Sequence, residues 1–293
     1  MSAVVMIALN GITLGLVFAL MSLGLMLLWG ITELINFAYT QYLVLAMYAA
    51  YVLSEHGVGP LVALPVVVVI SILANALTYL LVLRRAMKGA MLTQVLVTFG
   101  LYLLLRDGML LIFGPEPRNV PGQTLAGSVH VFGVALSQGI LVGALAGLVL
   151  AILLWLFLAK TTVGTALSAI AQDREAAGLI GLNSTRMLLL TWVIVGLCLG
   201  FAGDLAVLFT SVYPDVGTVY LLVVFAVVAL GGLGSILGAV VAGVIIGIIQ
   251  TAAGFYLPVP ALKYAVVFGA FMLVLILRPQ GLGRRGLRRD SEG

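Results

Sequence analysis

Apolar runs of membrane-span length follow one another along almost the whole chain, and no other feature constrains the fold as strongly. They cover about 3–29, 37–53, 61–83, 92–113, 133–158, 187–210, 218–254 and 262–278, where a crossing helix needs about 20 apolar residues. Charge is correspondingly scarce: 14 basic and 10 acidic side chains in 293 residues, 8% charged against 63% hydrophobic. Soluble domains carry about 25% charged residues, so a soluble globule built from this chain would lack the polar atoms to cover its surface. Disordered chains, disulfide scaffolds and nucleic-acid binders are excluded on the same ground. The one cysteine, Cys198, has no partner for an intrachain disulfide and belongs to no CxxC metal or redox pair. Met1-Ser2-Ala3-Val4-Val5 has no basic n-region, so the first run is expected to be a mature span and not a cleaved leader. The sequence predicts an all-α, polytopic transmembrane helical bundle of about 8–9 spans, one or more of them broken or re-entrant. Residues 1–293 form its single domain.

Two runs are unusual. The run 218–254 is too long for one simple helix at about 1.5 Å per residue. Gly231-Gly232-Leu233-Gly234-Ser235 interrupts it, and glycine frees the backbone and weakens a helix. Two helical pieces meeting at a glycine turn are expected. The first run carries no flanking charge, so it either crosses or re-enters. The segments 54–60, 114–132, 211–217 and 255–261 are short and rich in Gly and Pro, and read as turns with no folded external domain.

The basic residues set an expected orientation. Arg278, Arg284, Arg285, Arg288 and Arg289 lie in the last sixteen positions, around the basic tail 279–293. With these in the cytoplasm, backward threading also places Arg84, Arg85, Lys88, Lys160, Arg174 and Arg186 inside. Arg118 and Lys263 fall outside and Arg106 within a span. Eleven basic residues against two satisfy the positive-inside rule, and the juxtamembrane arginines suit anionic lipid headgroups.

The longest inside segment, 159–186, carries the most pattern. Thr165 is placed to cap a short helix through Gln172, with Leu167 and Ile170 three apart on one side. Asp173 is placed to cap a second helix through Ile180, and Gly181 suits its C-terminal stop. Asp173, Arg174 and Glu175 then sit at the corner between the two. Such a pair of helices forms a knob that another protein can grip, although an ordinary connector with capped turns would read the same.

The stretch Thr161–Asn183 resembles the ATPase-coupling loop of LivH-type permeases, the membrane subunits of branched-chain amino acid ABC importers. The likeness runs nearly end to end. It includes Asn10-Gly11, Gly15, Ala19-Leu20, Gly24-Leu25, Ile35-Asn36-Phe37-Ala38 and Ser211-Val212-Tyr213-Pro214. It continues through the Gly231–Gly238 turn and Leu277-Arg278-Pro279-Gln280-Gly281-Leu282. The resemblance implies an ATPase contact formed by Gly164, Ala169, Gln172, Asp173, Arg174, Glu175, Ala176 and Gly181. It also implies a second permease subunit, homologous or identical, two cytoplasmic ABC ATPase subunits and a periplasmic solute-binding protein. ATP and Mg would then sit on the ATPase. In agreement, the chain has no G-x-x-x-x-G-K-[ST] phosphate loop.

Two departures stand out. After Asn36-Phe37-Ala38 such permeases tend to have His-Gly and often Glu, where this chain has Tyr39, Thr40 and Gln41. Ser168 stands where a basic residue is common. The first departure bears on the solute class, the second on one contact to the ATPase.

Polar groups inside spans need a partner or a wet cavity. Asn36, Thr40 and Gln41 lie close enough together to present hydrogen-bonding groups to a solute, or to cap a helix end. Arg106 and Asp204 sit in different runs; Arg106 is expected to pair with Asp204 or to snorkel outward, and the two either fix the packing or line the path. Arg106 and Asp107 are not expected to pair, because adjacent helical residues do not face each other. Gly232 and Ser235 belong to a glycine-rich segment that suits close small-xxx-small packing with Gly243 and Gly247. The sharper reading is a broken helix lining the path.

Enzyme readings fare worse. Phe201-Ala202-Gly203-Asp204 lacks the Gly-x-Gly-Asp of intramembrane aspartyl proteases, and His56 and His130, the only histidines, fall in loops where a rhomboid needs one in the membrane. No metal-ligand cluster is visible. The expected protein is an alternating-access permease subunit in a bacterial inner membrane, C-terminus cytoplasmic, importing an amino acid or a similar small polar solute. An ion-coupled secondary transporter, or a related permease for urea or short amides, stays open.

Overall fold

A computed structural model describes residues 3–120, 127–131, 134–232, 234–257 and 262–277. Arg278 and the tail 279–293 lie outside the described residues, as does Leu233. The chain is a polytopic helical bundle. Its helices are α1 (Ala3–Thr32), α2 (Tyr39–Glu55), α3 (Pro60–Thr78), α4 (Arg84–Ala86), α5 (Met91–Phe113), α6 (Gln138–Lys160), α7 (Thr162–Gln172), α8 (Arg174–Leu179), α9 (Ser184–Ala206), α10 (Val216–Gly231), α11 (Ile236–Tyr256) and α12 (Leu262–Leu277). A π-helical turn, Tyr79–Leu83, joins α3 to α4 so that 60–86 runs as one rod. Six described helices are long and apolar enough to cross a bilayer: α1, the 60–86 rod, α5, α6, α9 and α11. α10 is a shorter apolar helix.

Two glycine-mediated crossings hold the bundle together. Gly11 and Gly15 of α1 meet Gly243 and Gly247 of α11 so closely that a Cβ on Gly15 would lie 2.5 Å from the Gly243 carbonyl oxygen. Between apolar helices in lipid, backbone approach and van der Waals contact are what drive association. Gly196 and Gly200 of α9 do the same against Ser71, Ile72 and Val68 of α3. The small-residue reading of Gly243 and Gly247 therefore describes a real crossing.

α2 lies at the centre, packed by α3, α9, α10 and α5, with Tyr39, Thr40, Gln41, Tyr42, Leu43, Val44, Ala46 and Met47 all buried. The expected break in 218–254 is present: Gly232 and Gly234 take φ of 86° and 84°, which costs glycine nothing. Arg84, Arg85, Lys88, Lys160, Arg174 and Arg186 gather at one end of the bundle, the basic end.

Two expectations need correction. The run 133–158 is not all helix: Val134–Ser137 is a strand, antiparallel to Ser128–Val131 with Ser128 opposite Ser137, and α6 starts only at Gln138. The segment 114–132 therefore carries half a hairpin as well as turns, and Arg118 bridges to Val212 across two backbone hydrogen bonds of 2.9 and 2.8 Å. Periodicity cannot separate a short apolar strand from the helix that follows it.

Candidate solute path and coupling segment

The coupling segment is assembled by caps. α6 ends at Lys160, and Thr161 turns extended (φ −105°, ψ 151°) while its Oγ1 accepts from the Gly164 amide at 3.0 Å. Thr161 caps α7. Thr165, the expected cap, lies inside the helix and donates its hydroxyl back to the Thr161 carbonyl. The break falls earlier because the single extended residue after α6 is Thr161 itself. Gly164, Leu167 and Ile170 form the buried face of α7. A Cβ on Gly164 would strike α6 at Leu158 Cα, 2.5 Å away, so α7 folds directly under α6 only with glycine there.

Asp173 then accepts from the amides of Glu175 (2.8 Å) and Ala176 (3.0 Å), starting α8 at a sharp corner. Its own amide donates to the Ala169 carbonyl at 3.0 Å. Gly181, with φ 86°, ends the unit, and Asn183 caps α9 through the Arg186 amide. Gln172, Asp173, Glu175, Ala176 and Gly181 are exposed at the basic end. Leu179 and Ile180 are exposed there too, at 90% and 75%. Sequence reasoning passed over this pair, whose signal is two large apolar residues directly before a glycine in a polar loop.

In the middle of the bundle, Asn36, Thr40 and Gln41 come together at the start of α2, each 0% exposed. Asn36 does cap, its Oδ1 accepting from the Ala38 amide at 3.1 Å. Its Nδ2, the Thr40 hydroxyl and both polar atoms of Gln41 have no hydrogen-bond partner among the described residues. Two helices close over this set. From α10, Gly217 lies so near that a Cβ there would be 2.8 Å from Gln41 Nε2. From α5, Thr98 donates to the Ile35 carbonyl at 3.1 Å. Phe37 stacks on Phe225 of α10 (6.1 Å between centroids) and meets Phe99 of α5 edge-on (6.3 Å).

Away from the basic end the same two helices are tied by polar contacts. Arg106 Nε donates to Asp215 Oδ1 at 2.6 Å, and the hydroxyls of Tyr102 and Thr218 lie 2.9 Å apart. The expected Arg106–Asp204 pair does not exist, and Arg106 does contact Asp107, 2.9 Å from Nη1 to Oδ1. A long guanidinium stem can fold back on its own helix at an exposed end, where the face rule has least force. Asp204 is instead fully buried in α9 with neither carboxylate oxygen bonded to a described residue.

Gly232 and Ser235 stand elsewhere. Ser235 caps α11 through the Gly238 amide at 3.1 Å, and Gly234 and Ser235 border a cleft with Trp155, Leu158, Ala159 and Ser168. Among the described residues no group of three His, Cys, Asp or Glu could hold a metal ion.

Residues 7–277 match the family described as branched-chain amino acid transport system, permease component. The chain is 29% identical to the high-affinity branched-chain amino acid transport system permease protein BraD of Pseudomonas aeruginosa, over 94% of each chain. It is 29% identical to the corresponding LivH protein of Escherichia coli, again over 94% of each. The LivM permease protein of Salmonella typhimurium is 28% identical over 92% of this chain and 68% of its own length. No solved structure matches the chain.

Proposed function

This chain belongs to the family of branched-chain amino acid transport system permease components, and on that premise we propose that it imports a branched-chain amino acid as one permease subunit of an ABC importer. It works with a second permease subunit, as the joint likeness to LivH-type and LivM-type proteins suggests. ATP and Mg bind two separate ATPase subunits, a binding protein delivers the solute, and the complex sits in a bacterial inner membrane with the basic end in the cytoplasm.

The observation that carries this reading is the Asn36 Nδ2, the Thr40 hydroxyl and the Gln41 amide, fully buried where α5 and α10 close over α2 and without a hydrogen-bond partner among the described residues. A buried polar group without a partner costs about 1–3 kcal/mol, and polar groups at membrane depth mark solute pathways. A solute with an ammonium and a carboxylate supplies both donors and acceptors to such a set. At the basic end, the Asp173 corner is the handle through which nucleotide-driven motion of the ATPase reaches α6 and α9. The ligand can shift the equilibrium between the two access states only by binding them unequally.

The test is uptake. The chain is coexpressed with its ATPase and the second permease, reconstituted into vesicles and supplied with loaded binding protein. ATP-dependent accumulation of labelled leucine is expected, and replacing Asp173, Arg174 and Glu175 together with alanine should leave ATP hydrolysis running while uptake falls at least ten-fold. If no ATPase copurifies with the chain, the importer reading fails. Uptake of urea or acetamide in place of leucine would reassign the solute.

A further inference from the structure

At the basic end a cavity of about 310 Å³ opens between the end of α1, the start of α5 and the α7–α8 corner. Thr32, Glu33, Met87, Gln94, Gln172 and Arg174 line it. It is about twice the 150 Å³ of an engineered cavity that takes up benzene, room for about ten non-hydrogen atoms. It is distinct from the Asn36–Gln41 set, none of whose residues border it.

Its chemistry is that of a charge pair. Arg174 makes no ion pair with another described residue, and its planar donor fork has the shape to meet a carboxylate. Glu33 brings the opposite charge. It already has contacts within the chain, as does Gln172, but a carboxylate has about four acceptor positions and can share them with an ammonium. The amides of Gln94 and Gln172 can serve either end of a ligand.

Glu33 is also held in an unusual way. Directly after α1, with its amide still donating to the Trp29 carbonyl at 2.9 Å, it takes φ 54°. It is the one non-glycine residue with positive φ among the described residues. Glycine would adopt that conformation without strain, whereas a side chain is strained there, and such strain collects at ligand sites.

We propose that this cavity binds a small zwitterion with the charge pair of an α-amino acid, Arg174 taking the carboxylate and Glu33 the ammonium. Occupation ties α1, α5 and the coupling corner to one molecule, so that solute arriving at the basic end restrains the segment that the ATPase must move. The restraint rests on the importer reading given above; the binding chemistry does not. The same charge pair occurs in free amino acids and in ethanolamine headgroups, and both sources enter the test.

The purified full-length chain, without ATPase or binding protein, is placed in phosphatidylcholine nanodiscs and titrated calorimetrically. The probes are L-leucine, leucinol, which lacks the carboxylate, and 4-methylpentanoate, which lacks the ammonium. Leucine should bind at least ten-fold more tightly than either analogue. Glu33→Gly removes the carboxylate and relieves the backbone, so it should melt no lower than the natural chain while losing at least ten-fold in leucine affinity. Affinity for 4-methylpentanoate should stay unchanged in that variant. Gln94→Trp, which fills the cavity, should abolish binding, and Gly254→Ala, where an added methyl meets nothing within 4 Å, should leave it intact.

If leucine binding is lost when phosphatidylethanolamine is added to the discs, the headgroup is the ligand of this zwitterion site. If it persists, the free amino acid is. Equal binding of all three probes, or leucine binding kept in both Glu33→Gly and Gln94→Trp, overturns the proposal. Neither result touches the ATP-dependent uptake that tests the importer reading.

Discussion

Gln41 turns two polar atoms into a core that offers neither a partner, with Gly217 of α10 close by. Leucine has nearly the same reach and no polar atoms, and replacing an unpaired polar group by an apolar one of similar shape is neutral or stabilising. Gln41→Leu should therefore raise the thermal midpoint of the purified chain, or leave it, while cutting leucine uptake at least ten-fold. A fall in both would make Gln41 a packing residue whose partner is ordinary structure. The Asn36–Gln41 set was legible as a sequence because polar residues in an apolar run are conspicuous. The partner of Arg106 was not, since Asp215 lies 109 residues away and charge alone does not choose between it and Asp204.

Among the elements, α11 contains its own control. A Cβ on Gly247 would meet Gly15 Cα at 2.5 Å, whereas a Cβ on Gly254 meets nothing within 4 Å. Gly247→Ala should cost about 1–3 kcal/mol through overpacking. Gly254→Ala should gain up to about 0.5 kcal/mol as glycine leaves the last turn of a helix. Thermal unfolding of the two single variants in one detergent reads both signs. α7 supplies a second contrast. Thr161→Ala removes a cap worth about 1 kcal/mol, while Thr165→Ala removes only a hydroxyl bonded back to its own helix. Amide exchange over 162–168 should rise in the first variant and stay unchanged in the second. The two helices of this segment were legible from their spacing. Their register was not, because three threonines stand within five residues, 161–165, and only the backbone angle at Thr161 decides which one caps. The hairpin before α6 stayed hidden for the related reason that its second strand, Val134–Ser137, continues straight into the apolar run of the helix.

For the whole molecule, the burial of Asn36, Thr40 and Gln41 sets a geometric demand: a solute reaches them only if α5 and α10 part. These helices meet α2 through Phe99 and Phe225, which flank Phe37. Farther from the basic end they are tied to each other by Arg106–Asp215 and Tyr102–Thr218. The ion pair is partly exposed, 30% for Arg106 and 55% for Asp215, and exposed pairs contribute about 0–1 kcal/mol. Its loss should be nearly silent in a thermal melt. Its effect on a two-state element is different, because 1 kcal/mol shifts an equilibrium about five-fold. Arg106→Ala and Asp215→Ala should each raise ATP hydrolysis in the absence of binding protein by a few-fold, as the seam opens without its trigger, while the midpoint moves little. The exchanged pair, Arg106→Asp with Asp215→Arg, should return hydrolysis toward the natural level if the contact between the two side chains is what matters. Asp107 beside Arg106 will repel a second carboxylate there, so the recovery should be partial. No rise in either single variant would mean that the Phe37 stack and the Tyr102–Thr218 contact hold the seam without the ion pair, and the two exposed charges would then be ordinary surface residues of the helix ends.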